Sequence, residues 1–120
     1  MEDIMGKSLP FTIIDLDKPR KLRFAAGAIV EFEEITGTPV TALDVDPTIT
    51  MILQALWVML KQDDESLATL KDATRLIDEY GDSLESVIKT TTKAIRASYR
   101  GEDEEPQRKN GKKPEGEPKA

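Results

Sequence analysis

"TMILQALWVML", residues 50–60, decides the fold of this chain, because only Thr50 and Gln54 interrupt its hydrophobic character. The apolar run from Ile49 to Leu60 is well short of the ~20 residues that a helix needs to cross a bilayer. A helix that is apolar on nearly every side, and that does not lie in a membrane, is buried on all sides. The stretch therefore predicts the central helix of a small bundle.

The sequence before this stretch indicates where the central helix begins. Asp46 is an acidic residue of the type that caps helix N-termini, and Pro47 follows at the first helical position, where proline is favoured. The helix is predicted to run from there to about Lys61. Acidic residues flank the apolar run closely on both sides, which also argues against a membrane segment.

The composition bounds what the chain can do. Its 120 residues suffice for one domain with a core, and its net charge of −6 argues against nucleic acid as a partner. There is no cysteine and no histidine, which excludes disulfides, zinc sites built on those residues, and catalysis by a His base or a Cys nucleophile. The first ten residues have no apolar core of a secretory signal. We therefore expect a cytoplasmic protein that binds other proteins.

The remaining pattern predicts a β-hairpin and three further helices. Residues 11–24 combine a β-branched run with the alternating "RKLRF", in which Leu22 and Phe24 share one face. Helical spacing of apolar residues predicts helices at 25–36, 70–80 and 83–100. The fold class is therefore mainly α, a small four-helix domain with an N-terminal β-hairpin.

Start and stop signals define the helix boundaries. Gly37 and Gly81 follow the last periodic residues of the helices at 25–36 and 70–80. Thr69 with Asp72 has the spacing of a capping box, and so has Asp82 with Glu85. The apolar faces are predicted to include Ile35 in the first helix, Tyr80 in the third, and Leu84 and Tyr99 in the fourth.

The two ends of the chain differ from its middle. Residues 101–120 contain no aromatic and no large aliphatic residue, but three prolines and mixed charge, which is typical of a disordered tail or linker. Residues 1–10 are predicted to form a flexible N-terminus, which leaves 11–100 as the folded domain.

Carboxylates are the best candidates for chemistry, and they form two groups along the chain: Glu31, Glu33 and Glu34, and Asp63, Asp64 and Glu65. Paired carboxylates can perform acid–base or metal chemistry. With no His, Cys or Gly-rich loop nearby, a solvated helix face and a polar loop are the favoured interpretations. We therefore predict no catalytic, cofactor-binding or metal-binding residues, and a protein that is not an enzyme.

Two further features could serve a partner. A small basic patch on the hairpin consists of Lys18, Arg20, Lys21 and Arg23. Its favoured interpretation is an ordinary exposed strand face. Trp57 is the one candidate partner-binding residue, since tryptophan is enriched in binding hot spots. Its place in the middle of an all-apolar helix favours the core instead.

The order of elements resembles the tail assembly chaperones of long-tailed bacteriophages and related prophages. A basic strand, "KPRKLRF", leads into "AIVEFEEITGTPV"; "ILQALWVMLKQDDESL" and "TLKDATRLIDEYG" follow, and then a last amphipathic helix. The positions that carry the likeness are Glu33, Glu34 and Gly37, then Ala55, Leu56 and Trp57, then Thr69 and Leu76-Ile77-Asp78. The resemblance covers about residues 11–100.

This resemblance implies a function. Such chaperones bind the tape-measure protein, keep it soluble in the host cytoplasm and promote assembly of the tail tube, and they are not retained in the mature virion. In many phages a ribosomal frameshift adds a second domain that contacts the tail-tube protein, and this chain would be the shorter, unshifted product. Two alternatives stay open: a generic helical adaptor or regulator from a bacterial or mobile-element operon, and a small enzyme that uses carboxylates alone.

Overall fold

A computed structural model describes residues 10–101 of the chain. Within this range the chain forms a two-stranded hairpin followed by five helices. The elements are β1 (Thr12–Asp15), β2 (Pro19–Leu22), α1 (Ala26–Thr36), α2 (Ala42–Val45), α3 (Ile49–Asp63), α4 (Leu70–Tyr80) and α5 (Leu84–Arg100). The predicted fold class, mainly helical with an N-terminal hairpin, is confirmed. The predicted flexible segment 1–10 and tail 101–120 fall almost wholly outside the described residues.

Helix α3 is the centre of the domain. It packs against α1, α4, α5 and β2, and its residues from Ala55 to Leu60 are all buried. This arrangement explains why the stretch at 50–60 has almost no polar residue: neighbours cover it on several sides. The hairpin completes the core from one end, where Phe24 meets Phe32 of α1 edge to face at 5.9 Å between ring centroids.

The hairpin is antiparallel, with Thr12 opposite Leu22 and Ile14 opposite Arg20. Ile14 and Leu22 point into the core, while Ile13 and Lys21 are exposed. A lone two-stranded hairpin is marginal in water. Packing of β2 against α3 and of β1 against α5 supplies the missing support.

Two glycines end helices for different reasons. Gly37 has φ 67°, a left-handed conformation that glycine adopts without steric cost, and its N–H bonds the Glu33 carbonyl. Gly81 has an ordinary φ, but a Cβ there would lie 2.8 Å from the Ile77 carbonyl oxygen. Close approach of the backbone, rather than an unusual dihedral angle, therefore requires glycine at position 81.

Several predicted boundaries need correction. Helix α3 begins at Ile49 with Thr48 as its N-cap, and not at Asp46 and Pro47, because the Thr48 hydroxyl accepts the Met51 N–H. Helix α5 is capped by Ser83 and not by Asp82, since the Ser83 hydroxyl accepts the Ser86 N–H. The capping box of α4, formed by Thr69 and Asp72, is confirmed.

The number of helices is also different from the prediction. Four helices were expected, and α2 is a fifth, a single turn between α1 and α3. Four side chains assigned to apolar faces are substantially exposed, because they lie at helix ends that extend past the core: Ile35, Tyr80, Leu84 and Tyr99.

Candidate partner-binding groove

The first group of carboxylates does not converge on one point. Glu31 accepts hydrogen bonds from Lys61 and Gln62 of α3, and the Lys61 ammonium lowers the pKa of Glu31. Glu33 instead accepts the Val40 N–H at 2.7 Å and so holds the loop after α1. These contacts indicate structural roles: Glu31 joins α1 to α3, and Glu33 holds the loop after α1.

The second group separates in the same way. Asp64 accepts hydrogen bonds from the Ser66 hydroxyl and from Arg20, and these bonds lower the pKa of Asp64 to about 2. Asp63 and Glu65 are exposed. Across residues 10–101, no cluster of three or more acidic side chains is arranged to hold a metal ion.

One of the four residues predicted to form the basic patch does not lie on the exposed face of the hairpin. Arg20 is on the buried face of β2, where its guanidinium binds Asp17 at 2.9 and 3.0 Å and Asp64 at 2.9 Å. It therefore joins the hairpin turn to the loop after α3. Lys21 and Arg23 lie on the opposite face, over the ring of Phe11.

Trp57 lies in the core, with 8% of its surface exposed. Its indole N–H donates to the Leu67 carbonyl at 2.8 Å, and the Lys61 ammonium lies 5.0 Å from the ring centroid. The buried indole therefore fixes the loop between α3 and α4 to the central helix. Its position leaves little surface for contact with a partner.

Within residues 10–101, an apolar groove lies between α2 and the C-terminal half of α5. It has a volume of about 190 Å³. Its apolar lining includes Val40 and Leu43 from the α2 region, Ile52 from α3 and Ile95 from α5. We call this feature the α2–α5 groove.

Local sequence explains why the groove exists. The left-handed Gly37 and the following Pro39 end α1 and redirect the chain, and a single helical turn then forms with none of its four residues fully buried. Asp44 of α2 forms an ion pair with Arg100 at the end of α5. This pair joins α2 to the end of α5 at one point, and apolar surface stays open between the two helices.

Apolar side chains continue outward from the groove. Val45, which also lines the groove, is 83% exposed, and Ile49, at the start of α3 between the lining residues Pro47 and Ile52 in sequence, is 52% exposed. Tyr99 of α5 lines the groove and is 44% exposed. An exposed apolar patch beside a concave apolar surface is typical of a protein-interaction site.

Helix α3 contributes to this site through its first turns only. Ile52 is both a groove-lining residue and a buried one, whereas Trp57 lies further along the same helix in the core. The sequence stretch at 50–60 therefore fills the core with most of its length and forms the floor of the groove with one residue.

Sequence reasoning missed the groove because it missed α2. The segment "TALDV" is too short for helical periodicity, and only its apolar residues Leu43 and Val45, on either side of Asp44, hint at an element. Among residues 10–101, no helix is both long enough and apolar enough to span a membrane.

Comparison with known proteins identifies no relative. No protein-family model, no curated protein and no solved structure matches this chain.

Proposed function

We propose that this protein is a tail assembly chaperone of a long-tailed bacteriophage or prophage, and that it binds the tape-measure protein and keeps it soluble until the tail tube forms. The observation that carries the proposal is the α2–α5 groove with its exposed apolar rim. The order of elements, and the motifs at residues 33–37, 55–57 and 69–78, support the family.

The physical role follows from what such a partner needs. A long helical protein with apolar stripes aggregates unless those stripes are covered. A groove between helices receives an amphipathic helix by its apolar side chains. The net charge of −6 keeps the chaperone itself soluble while its groove is occupied.

The other parts of the family's behaviour belong to the same proposal. The chain acts in the host cytoplasm and is absent from the finished virion. This chain is the shorter, unshifted product, and in a frameshifted product residues 101–120 would lead into a second domain that contacts the tail-tube protein. No step of this function needs a cofactor, a metal ion, a nucleic acid or a membrane.

The test is co-expression of the full chain with the tape-measure protein encoded beside it, followed by affinity purification. We expect the tape-measure protein to become soluble and to co-purify at low and at moderate salt, because apolar contacts are not screened by ions. Val45→Asp places a charge at the groove rim and should weaken retention about tenfold or more.

Val30→Asp is the matched control. Val30 is 55% exposed on α1 and is not part of the groove lining. The control variant should retain the tape-measure protein as the unmodified chain does. If the unmodified chain retains none at any salt concentration, the chaperone proposal fails and the generic adaptor takes its place.

A further inference from the structure

One face of α5 is basic, although the chain as a whole is acidic. Its members are spaced four, three and four residues apart and are all exposed: Lys89, Lys93, Arg96 and Arg100. This spacing places them on one side of the helix, over about 16 Å at 1.5 Å per residue. We call this set the basic bank.

The C-terminal half of the basic bank borders the α2–α5 groove. Arg96 and Arg100 are themselves groove-lining residues, beside Tyr99. The opposite side of the groove carries the exposed Asp44, which pairs with Arg100 at one end. The groove is therefore apolar along its floor and basic along α5, with Asp44 as the acidic lining residue on the α2 side.

The size of the groove limits what enters it. A volume of about 190 Å³ is below the range typical of pockets that enclose a whole small ligand, so only a few side chains fit inside. The backbone of a bound segment would lie above the groove, and residues beside its anchoring side chains would face the two charged edges.

From this arrangement we propose that the α2–α5 groove binds an amphipathic helix of a partner protein whose apolar stripe is flanked by acidic residues on the side that faces α5. The apolar stripe supplies anchors for the groove, and the acidic flank pairs with the basic bank and fixes the orientation of the helix. This inference deepens the proposed function, and rests on it only for the identity of the partner protein.

Three designed peptides of about 18 residues test the chemistry. Each carries the same leucine stripe at helical spacing, and the flank residues are Glu in the first, Lys in the second and Gln in the third. Binding to the full chain is measured by fluorescence anisotropy. We expect the Glu peptide to bind about tenfold more tightly than the Gln peptide, and the Lys peptide more weakly than both.

Charge reversal on the protein should exchange these preferences. The variant Lys93→Glu/Arg96→Glu should bind the Glu peptide about tenfold more weakly and should gain affinity for the Lys peptide. The matched control is Lys71→Glu/Arg75→Glu, an exposed pair on α4 with the same change in net charge. The control should rank the three peptides as the unmodified chain does.

Val45→Asp reports on the groove itself. It should weaken all three peptides, whereas Val30→Asp should weaken none. Equal binding of the three peptides, or equal effects of the test and control reversals, would overturn the proposal.

The proposal would also be overturned if the groove held either of two other occupants. Sedimentation of the full chain as a dimer that Val45→Asp dissociates would make a second copy the occupant. The sequence places Glu102, Asp103, Glu104 and Glu105 just after α5. If their change to glutamine raises affinity for the Glu peptide tenfold or more, the chain's own acidic segment is the occupant.

The failure of this inference can be told from the failure of the proposed function. If the Glu peptide binds as expected but the tape-measure protein does not co-purify, the surface is correctly assigned and the partner is another protein. If the tape-measure protein co-purifies but the three peptides bind equally well, the chaperone proposal stands and the requirement for an acidic flank is refuted.

Discussion

Two apolar regions of this molecule have similar composition and opposite exposure. The middle of α3, from Ala55 to Leu60, is buried, whereas Val45 and Tyr99 are exposed at the α2–α5 groove and Ile49 is exposed at the start of α3. Ile49 and Ile52, one turn apart on the same helix, are 52% and 8% exposed. Hydrophobic sequence alone therefore does not separate the core of this domain from its exposed apolar surface; the tertiary arrangement of the helices does.

The largest expected effect is at the centre of the buried region. Trp57→Ala should lower the free energy of unfolding by about 3–5 kcal/mol, since it removes a packed indole and leaves a cavity. Urea denaturation followed by circular dichroism measures this change. Tyr99→Ala, an aromatic of the exposed region, should cost about 1 kcal/mol or less. Equal losses for the two variants would break the distinction between the regions.

The second prediction concerns α5, where the buried Ser98 lies next to the exposed Tyr99 in sequence. The Ser98 hydroxyl accepts the buried Phe24 N–H at 2.8 Å and so attaches the end of the hairpin to α5. Ser98→Ala leaves that N–H without this acceptor and should destabilise the domain by about 1–3 kcal/mol.

Thr91→Val is the comparison for Ser98→Ala. The Thr91 hydroxyl donates to the Val87 carbonyl of its own helix, and its loss strands no donor elsewhere. A cost below about 1 kcal/mol is expected from the same urea titration. If Thr91→Val costs more than Ser98→Ala, the assignment of Ser98 as the attachment point is wrong.

The third prediction concerns the stability of the fold at low pH. Because the folded-state pKa of Asp64 is about 2, below its ordinary value of 3.8, the ionised carboxylate favours the folded state. This contribution is fully present above about pH 4 and is lost as the pH falls towards 2. Asp64→Asn should therefore flatten the fall in stability across that range.

Glu65→Gln removes a charge from the same loop and serves as the control. Unfolding by urea at several pH values between 2 and 5 compares the slopes of the two variants. A slope in Asp64→Asn as steep as that of the unmodified chain would show that the bonds from Ser66 and Arg20 do not carry the acid dependence.

The smallest expected effect on stability is at the groove rim. Val45→Asp should change the free energy of unfolding by no more than about 0.5 kcal/mol, as should Val30→Asp, because both side chains are already exposed. A loss above about 2 kcal/mol for Val45→Asp alone would make Val45 part of the folded core and remove it from the contact surface.

Much of the scaffold was predictable because its signals are local. Helix α4 has the predicted bounds, and its capping box and terminal glycine were visible in the sequence. The α3 start was mistaken because Asp46-Pro47 resembles a strong helix start, while the adjacent Thr48 makes the actual cap.

The groove and the Arg20 contacts were less predictable, because they depend on residues distant in sequence. Strand alternation puts Arg20 on the same face as Leu22, so its burial could have been inferred, but its pairing with Asp64 joins positions 44 residues apart. The Asp44–Arg100 pair similarly needs the tertiary fold. Neither pairing has a local pattern.

The single turn of α2 has a kinetic consequence. None of its four residues is fully buried, and an exposed ion pair of the kind that Asp44 makes with Arg100 contributes little to stability. Local opening of α2 should therefore require far less free energy than opening of α3, and its amides should exchange deuterium early. A partner that occupies the groove should slow deuterium exchange at the Leu43 and Asp44 amides and leave exchange in the core of α3 unchanged. Hydrogen-exchange mass spectrometry of α2 would therefore report when a partner helix binds.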